Sequence, residues 1–155
     1  MAAASLVATA IGVLLLILTG YLLAAGMITL NETMVTAGKE MTVRNTRIMG
    51  TSIHIHEGSG ENPLFVSLNN TGSEVIRDYA GMDVYLQYID NMTEYYPYNP
   101  DGGRGWSRVS IVPDTINPAS WDPGETLLIQ VTTDGGPHTW VKVTTSNGAS
   151  SSAYI

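Results

Sequence analysis

Two histidines one residue apart, His54-Ile-His56, are the side chains best spaced to do chemistry. Residues i and i+2 of a strand project the same way, so both imidazoles would share one face. Two ligands do not close a metal site, and the third histidine, His138, is distant in sequence. The pair reads as solvent-facing on an edge strand, and a protonation-dependent contact below about pH 6.5 is the chemistry it could support. The run Asp114-Thr-Ile-Asn-Pro-Ala-Ser-Trp-Asp-Pro-Gly-Glu125 offers Asp114, Asn117, Asp122 and Glu125, oxygen donors of the kind calcium takes. Its second half also has the makings of a tight turn before a strand. Pro123 fixes φ, Gly124 permits a positive φ, and Asp122 can accept from the backbone ahead of it. The turn is the favoured reading of Asp122, Pro123, Gly124 and Glu125, with Trp121 packing beneath. A third cluster, Tyr95, Tyr96 and Tyr98, opens a tract too rich in Gly and Pro for regular structure. Its rings either cover the end of a sandwich or present a contact surface to a partner.

No nucleophile elbow, phosphate-binding loop, HExxH helix or dinucleotide fingerprint is present. The chain is therefore expected not to be an enzyme, with no catalytic, cofactor-binding or metal-ligating residue assigned. Cys is absent, which excludes disulfides and thiolate metal sites. Seven Lys and Arg against 14 Asp and Glu give a formal net charge of −7. Phosphate backbones need a basic face, so nucleic acid is not an expected partner.

The elements that must position these residues begin with an apolar run over 1–30, free of charge from Ala2 to Leu30. Roughly 20 apolar residues at about 1.5 Å each match a hydrocarbon core of about 30 Å. A retained membrane-spanning or filament-core helix is the favoured reading, and contact with membrane lipid follows from it. A cleaved signal would carry a basic start and a shorter apolar stretch. The small residues Ala8, Gly12, Gly20 and Ala24 would also let helices approach closely, as in a homo-oligomer. Residues 31–50 continue as an amphipathic extension and linker: Leu30, Met34, Met41 and Ile48 recur at helical spacing, and Gly38 and the threonines predict fraying between Gly38 and Gly50.

From residue 51 the period changes to two. Strands are expected over 51–56, 64–68, 82–89, 106–111, 125–132 and 138–145, with a short one at Val75 and Ile76 and an edge strand near the end. Such short strands between turn signals describe an antiparallel β-sandwich over 51–155. Three Asn-x-Ser/Thr sequons, at Asn31, Asn69 and Asn91, are candidate glycosylation sites and suit an exterior domain. The positive-inside rule, applied to Lys39, Arg44 and Arg47, points weakly the other way.

Taken together, Ala3-Ala4-Ser5-Leu6-Val7-Ala8-Thr9-Ala10-Ile11, Val66-Ser-Leu-Asn-Asn-Thr-Gly-Ser73, Ile111-Val-Pro-Asp-Thr-Ile-Asn-Pro118, Trp121-Asp-Pro-Gly-Glu-Thr126 and Val143-Thr-Thr-Ser-Asn-Gly148 resemble the archaeal flagellin-like family. That family comprises archaellins and the archaellum accessory proteins called F and G. The resemblance is greatest to the stator-type accessory protein F, with an archaellin or minor pilin second. It implies a mainly β protein with a type IV pilin-like layout: a single N-terminal transmembrane helix followed by an antiparallel immunoglobulin-like β-sandwich. It also implies a single-pass protein of the cell membrane, its sandwich outside beneath the S-layer, binding S-layer protein and accessory protein G or other archaellum components. An archaellin precursor would carry a basic leader before its helix, so the anchored accessory protein is expected over the filament subunit.

Overall fold

The computed structural model describes residues 2–155, with side chains from residue 7 onward. Met1 and the side chains of residues 2–6, which open the apolar run and the resemblance, lie outside the described residues. One helix, α1 (Ala2–Gly50), precedes eight strands: β1 (Ile53–Ser59), β2 (Leu64–Asn70), β3 (Asp83–Tyr88), β4 (Thr93–Tyr96), β5 (Gly105–Val112), β6 (Thr126–Thr132), β7 (His138–Thr144) and β8 (Ser150–Tyr154). The chain divides into two compact units, Met1–Val43 and Arg44–Ile155.

From Val7 the helix is long and apolar enough to cross a membrane. It does not fray after Gly38, as its composition suggested, but continues to Gly50. A glycine inside an established helix costs only about 1 kcal/mol against alanine, and extension is easy once a long apolar segment has nucleated it. The threonines turn their hydroxyls back along the helix, Thr33 to the Thr29 carbonyl, Thr36 to Glu32 and Thr42 to Gly38, each at 2.9 Å.

The last helical turn belongs to the second unit and is tied into it. The Gly50 carbonyl accepts the Ser73 and Glu74 amides at 2.7 and 3.2 Å. The Thr51 hydroxyl donates to the Arg47 carbonyl at 2.8 Å and receives the Asn147 amide at 2.6 Å. These bonds satisfy carbonyls that a helix end otherwise leaves unpaired.

The strands form two four-stranded antiparallel sheets, ordered β1-β2-β6-β5 and β4-β3-β7-β8. With β4 set apart as an added edge strand and the other seven lettered A to G in chain order, that is the A-B-E-D sheet of an immunoglobulin-type sandwich facing a C-F-G sheet enlarged by β4. Period-two burial builds the core. β2 buries Leu64, Val66 and Leu68, β6 buries Leu127, Ile129 and Val131, and β3 and β7 answer with Val84, Leu86, Val141 and Val143. Trp106 and Trp121 are fully buried, their indole N–H groups donating to the carbonyls of Met82 and Glu125 at 3.3 and 2.9 Å. Val75 and Ile76 make no strand, only a single bridge from Ile76 to Trp121.

Candidate functional site

The two histidines occupy β1, an edge strand, and both are exposed. The register slips between Ile55 and Glu57, so His56 is the extra residue of a bulge. Among the described residues no group of three or more His, Asp or Glu is placed to hold a metal ion. In the 114–125 loop the oxygen donors serve their own backbone. Asp122 accepts the Asn117 amide N–H at 3.0 Å and the Asn117 side-chain amide at 2.7 Å, while Glu125 accepts the Asp122 N–H at 3.0 Å. Asp114 takes the Ala119 N–H, and Gly124 has φ 83°. Pro123 and Gly124 are exposed, whereas Asp122 and Glu125 are buried.

The tyrosines are divided by the fold. Tyr95 and Tyr96 lie on β4, a strand the Gly- and Pro-rich tract concealed, and Tyr98 bridges to Trp106. Tyr96 is fully buried, which removes it from any partner contact, and Tyr98 packs partly buried against the core. Tyr95 alone is exposed, its ring 5.4 Å from that of Tyr85. The other exposed apolar side chains of the sandwich are Ile89 and Met92 on the β3–β4 hairpin, Val109, Val112 and Ile116 along and after β5, and Tyr154.

The end of the sandwich opposite the Gly50 connection holds a polar cluster with no sequence motif. Arg104 donates to Glu94 at 2.9 Å and to Asp134 at 2.7 Å, and its guanidinium stands 4.8 Å from the centre of the Tyr96 ring. The Tyr96 hydroxyl donates to Glu94 at 2.9 Å and is also hydrogen-bonded to the Tyr88 hydroxyl. The Tyr96 bond, and then the Arg104 bond, hold the Glu94 carboxyl below the usual range. Burial, then the bonds to Tyr88 and Glu94, push the Tyr96 hydroxyl far up, so it stays a proton donor. Beside it His138 stacks on Tyr88 with centroids 4.7 Å apart, and both its ring nitrogens are buried without a hydrogen-bond partner. Burial lowers its pKa, against the pull of Glu61 and Glu94. The only hint in the sequence was the placement of one Arg in a Gly-rich loop of an acidic chain.

The sequons differ equally. Asn31 lies within α1, and its Thr33 hydroxyl is bound to the helix. Asn69 is in β2, paired on both sides, with its side-chain oxygen accepting the Thr126 hydroxyl at 2.7 Å. Asn91 is exposed at the tip of the β3–β4 hairpin with φ 65°.

No known family model matches this sequence, and no curated protein does. Solved structures do match the fold. The archaellum periplasmic stator protein FlaG from Sulfolobus acidocaldarius aligns over 68% of this chain and 99% of its own, with a TM-score of 0.53 and 19% identity. A chain from the archaellum periplasmic stator protein complex FlaF and FlaG of the same organism aligns over 68% of this chain and 89% of its own, again with a TM-score of 0.53 and 19% identity. At that identity the likeness establishes a shared fold: the antiparallel sandwich of archaellum stator proteins. It does not single out F.

Proposed function

We propose that this chain is an archaellum accessory protein of the stator type. On this reading α1 anchors it in the cell membrane, and the sandwich stands outside, where it binds the S-layer and other archaellum components. One observation carries the reading: a complete immunoglobulin-type sandwich of the FlaG fold follows a helix long enough to cross a membrane. The protein acts by binding, not catalysis, since its buried carboxylates brace a loop. Within the Tyr95, Tyr96 and Tyr98 cluster, Tyr95 is the one that can reach a partner, because Tyr96 is spent in the core and Tyr98 packs against it.

Filament subunit is the second reading, favoured by one feature. At about 1.5 Å per residue, the 49 residues of α1 exceed what a bilayer requires. Shearing filaments from cells and locating the chain by mass spectrometry separates the two. Retention in the membrane fraction, with FlaG-like partners co-purifying, is expected. Abundance in the sheared filament would overturn the accessory role. Within the favoured reading, Tyr95→Ser should weaken binding to isolated S-layer, and unchanged binding removes Tyr95 from the contact.

A further inference from the structure

Three segments of the Arg44–Ile155 unit meet around a hollow of about 280 Å³. The last turn of α1 supplies Arg47, the crossing from β2 to β3 supplies Glu74, Arg77 and Asp78, and the β7–β8 turn supplies Ser146 and Asn147. Each wall is fixed by its own bonds. The Asn147 side-chain amide donates to the Thr51 hydroxyl at 2.6 Å and to the Arg47 carbonyl at 3.4 Å. The Asn70 side-chain amide holds the Glu74 carbonyl at 2.9 Å, and Ile76 exchanges two backbone bonds with Trp121, at 3.0 and 2.9 Å. Asp78 accepts the Gly81 N–H at 3.0 Å.

The arginines of this hollow differ from those elsewhere in the sandwich. Arg104 is paired with Glu94 and Asp134, and Arg108 donates to the Ala119 carbonyl. Arg47 and Arg77 are exposed, and neither guanidinium makes a hydrogen bond or ion pair among the described residues, although Glu74 and Asp78 line the same hollow. Asp78 is engaged by Gly81, which leaves one uncommitted carboxylate, Glu74, against two uncommitted guanidiniums. A guanidinium presents a planar fork of donors that matches a carboxylate at two points. The volume lies below the roughly 300 Å³ at which pockets for drug-sized ligands begin, which suits an acidic side chain or a small carboxylic acid.

We propose that this hollow binds carboxylate groups, with Arg47 and Arg77 as the recognising residues and an acidic segment of a partner protein as the occupant. An exposed ion pair contributes little on its own, so a lasting occupant brings further contacts, as a protein segment does and a free acid does not. A free dicarboxylic acid offers the same group, and the test separates the two sources. Asn147 and Thr51 act as positioning residues, holding the turn that carries Arg47. The assignment does not depend on the stator reading.

The test titrates the full chain in detergent with hexaglutamate, hexalysine and succinate, and reads binding by isothermal calorimetry. Saturable binding of hexaglutamate is expected, weakening as salt rises from about 0.05 to 0.5 M. Arg47→Gln and Arg77→Gln, each with unchanged melting, should weaken it about tenfold or more. Glu74→Gln should tighten it by removing a like charge. Arg44→Gln removes an arginine of the same helix that does not line the hollow, and should leave binding unchanged. Succinate bound as tightly as hexaglutamate overturns the protein occupant and assigns the carboxylate site to a free acid. The site itself is overturned by absence of hexaglutamate binding, by tighter binding of hexalysine, or by a loss from Arg44→Gln equal to that from the two site variants.

Discussion

Glu94 Oε2 accepts the Arg104 guanidinium and the Tyr96 hydroxyl, both at 2.9 Å, with the Tyr88 hydroxyl a longer third donor at 3.4 Å. One exposed guanidinium thereby links β4 to the 133–137 turn through Asp134, over the ring of a buried tyrosine. Because the Glu94 pKa is depressed, the folded state holds the carboxylate more firmly than the unfolded chain does. The associated stability is present above the ordinary carboxylate range and is lost as pH falls through the folded value. Glu94→Gln should thus flatten the fall in melting temperature between about pH 5 and pH 3. The effect should be small and shrink in high salt, since the pair is open to solvent. An unchanged acid limb in the variant would remove the network from the account.

His138 acts in the same direction, at higher pH and through burial rather than hydrogen bonding. Its pKa is lowered by burial from 6.5, so on acidification the unfolded chain takes up a proton before the folded one. Stability should therefore decline as pH falls through about 6.5, and level off once the folded ring also titrates. His138→Phe keeps a ring against Tyr88 and removes the titration. Urea midpoints of the variant should match or exceed the native value at pH 8 and lose the slope between pH 7 and 5. A native protein whose midpoint does not move across that interval contradicts the burial argument.

Alternation made most of the sandwich legible. Val84 and Leu86, Leu127 to Val131, and Val141 with Val143 each repeat at two, and each became a core strand. β4 escaped because it is four residues long and its place is set from outside, by Val84 pairing with Tyr96 and Gln87 with Thr93. The same long-range pairing decides which tyrosine is buried, a distinction that three tyrosines in one short tract do not carry. The Arg104 cluster was equally hidden, since its members lie 10 and 30 residues apart. The helix continued past Gly38 because local propensity is a weaker influence than an established helix before it.

Gly72 fits where no other residue can. A β-carbon there would run into the Gly50 carbonyl and the Ser52 amide, both backbone and unable to rotate away. The same segment supplies the Ser73 and Glu74 amides that hold the Gly50 carbonyl. Gly72→Ala should cost about 1–3 kcal/mol, as overpacked sites do. Thermal melting of the folded domain checks it, against Val112→Ala as a surface control. Equal melting of both variants would mean that this junction yields more easily than its close contacts indicate.

Of the three sequons, Asn91 is the one the folded sandwich leaves open to modification. Tyr88 and Asn91 close a turn through the Asn91 N–H to the Tyr88 carbonyl at 3.0 Å, and Asn91 takes the left-handed conformation that Asn tolerates better than most residues. That conformation uses the backbone alone, and the carboxamide and the Thr93 side chain are both exposed. If the sandwich is outside the membrane, a lipid-linked glycan can transfer there: Asn91 Nδ2 loses a proton and bonds to the anomeric carbon, and the lipid phosphate leaves. Asn69 is denied by its strand and Asn31 by its helix. Peptide mapping of protein from its own cells should find the added mass on the peptide containing Asn91 and none on the other two. Asn91→Gly preserves the turn and should abolish the addition, whereas Thr93→Ser, which keeps the sequon, should retain it. A glycan on Asn69 would mean that modification precedes folding, and accessibility in the native sandwich would not be what selects the site.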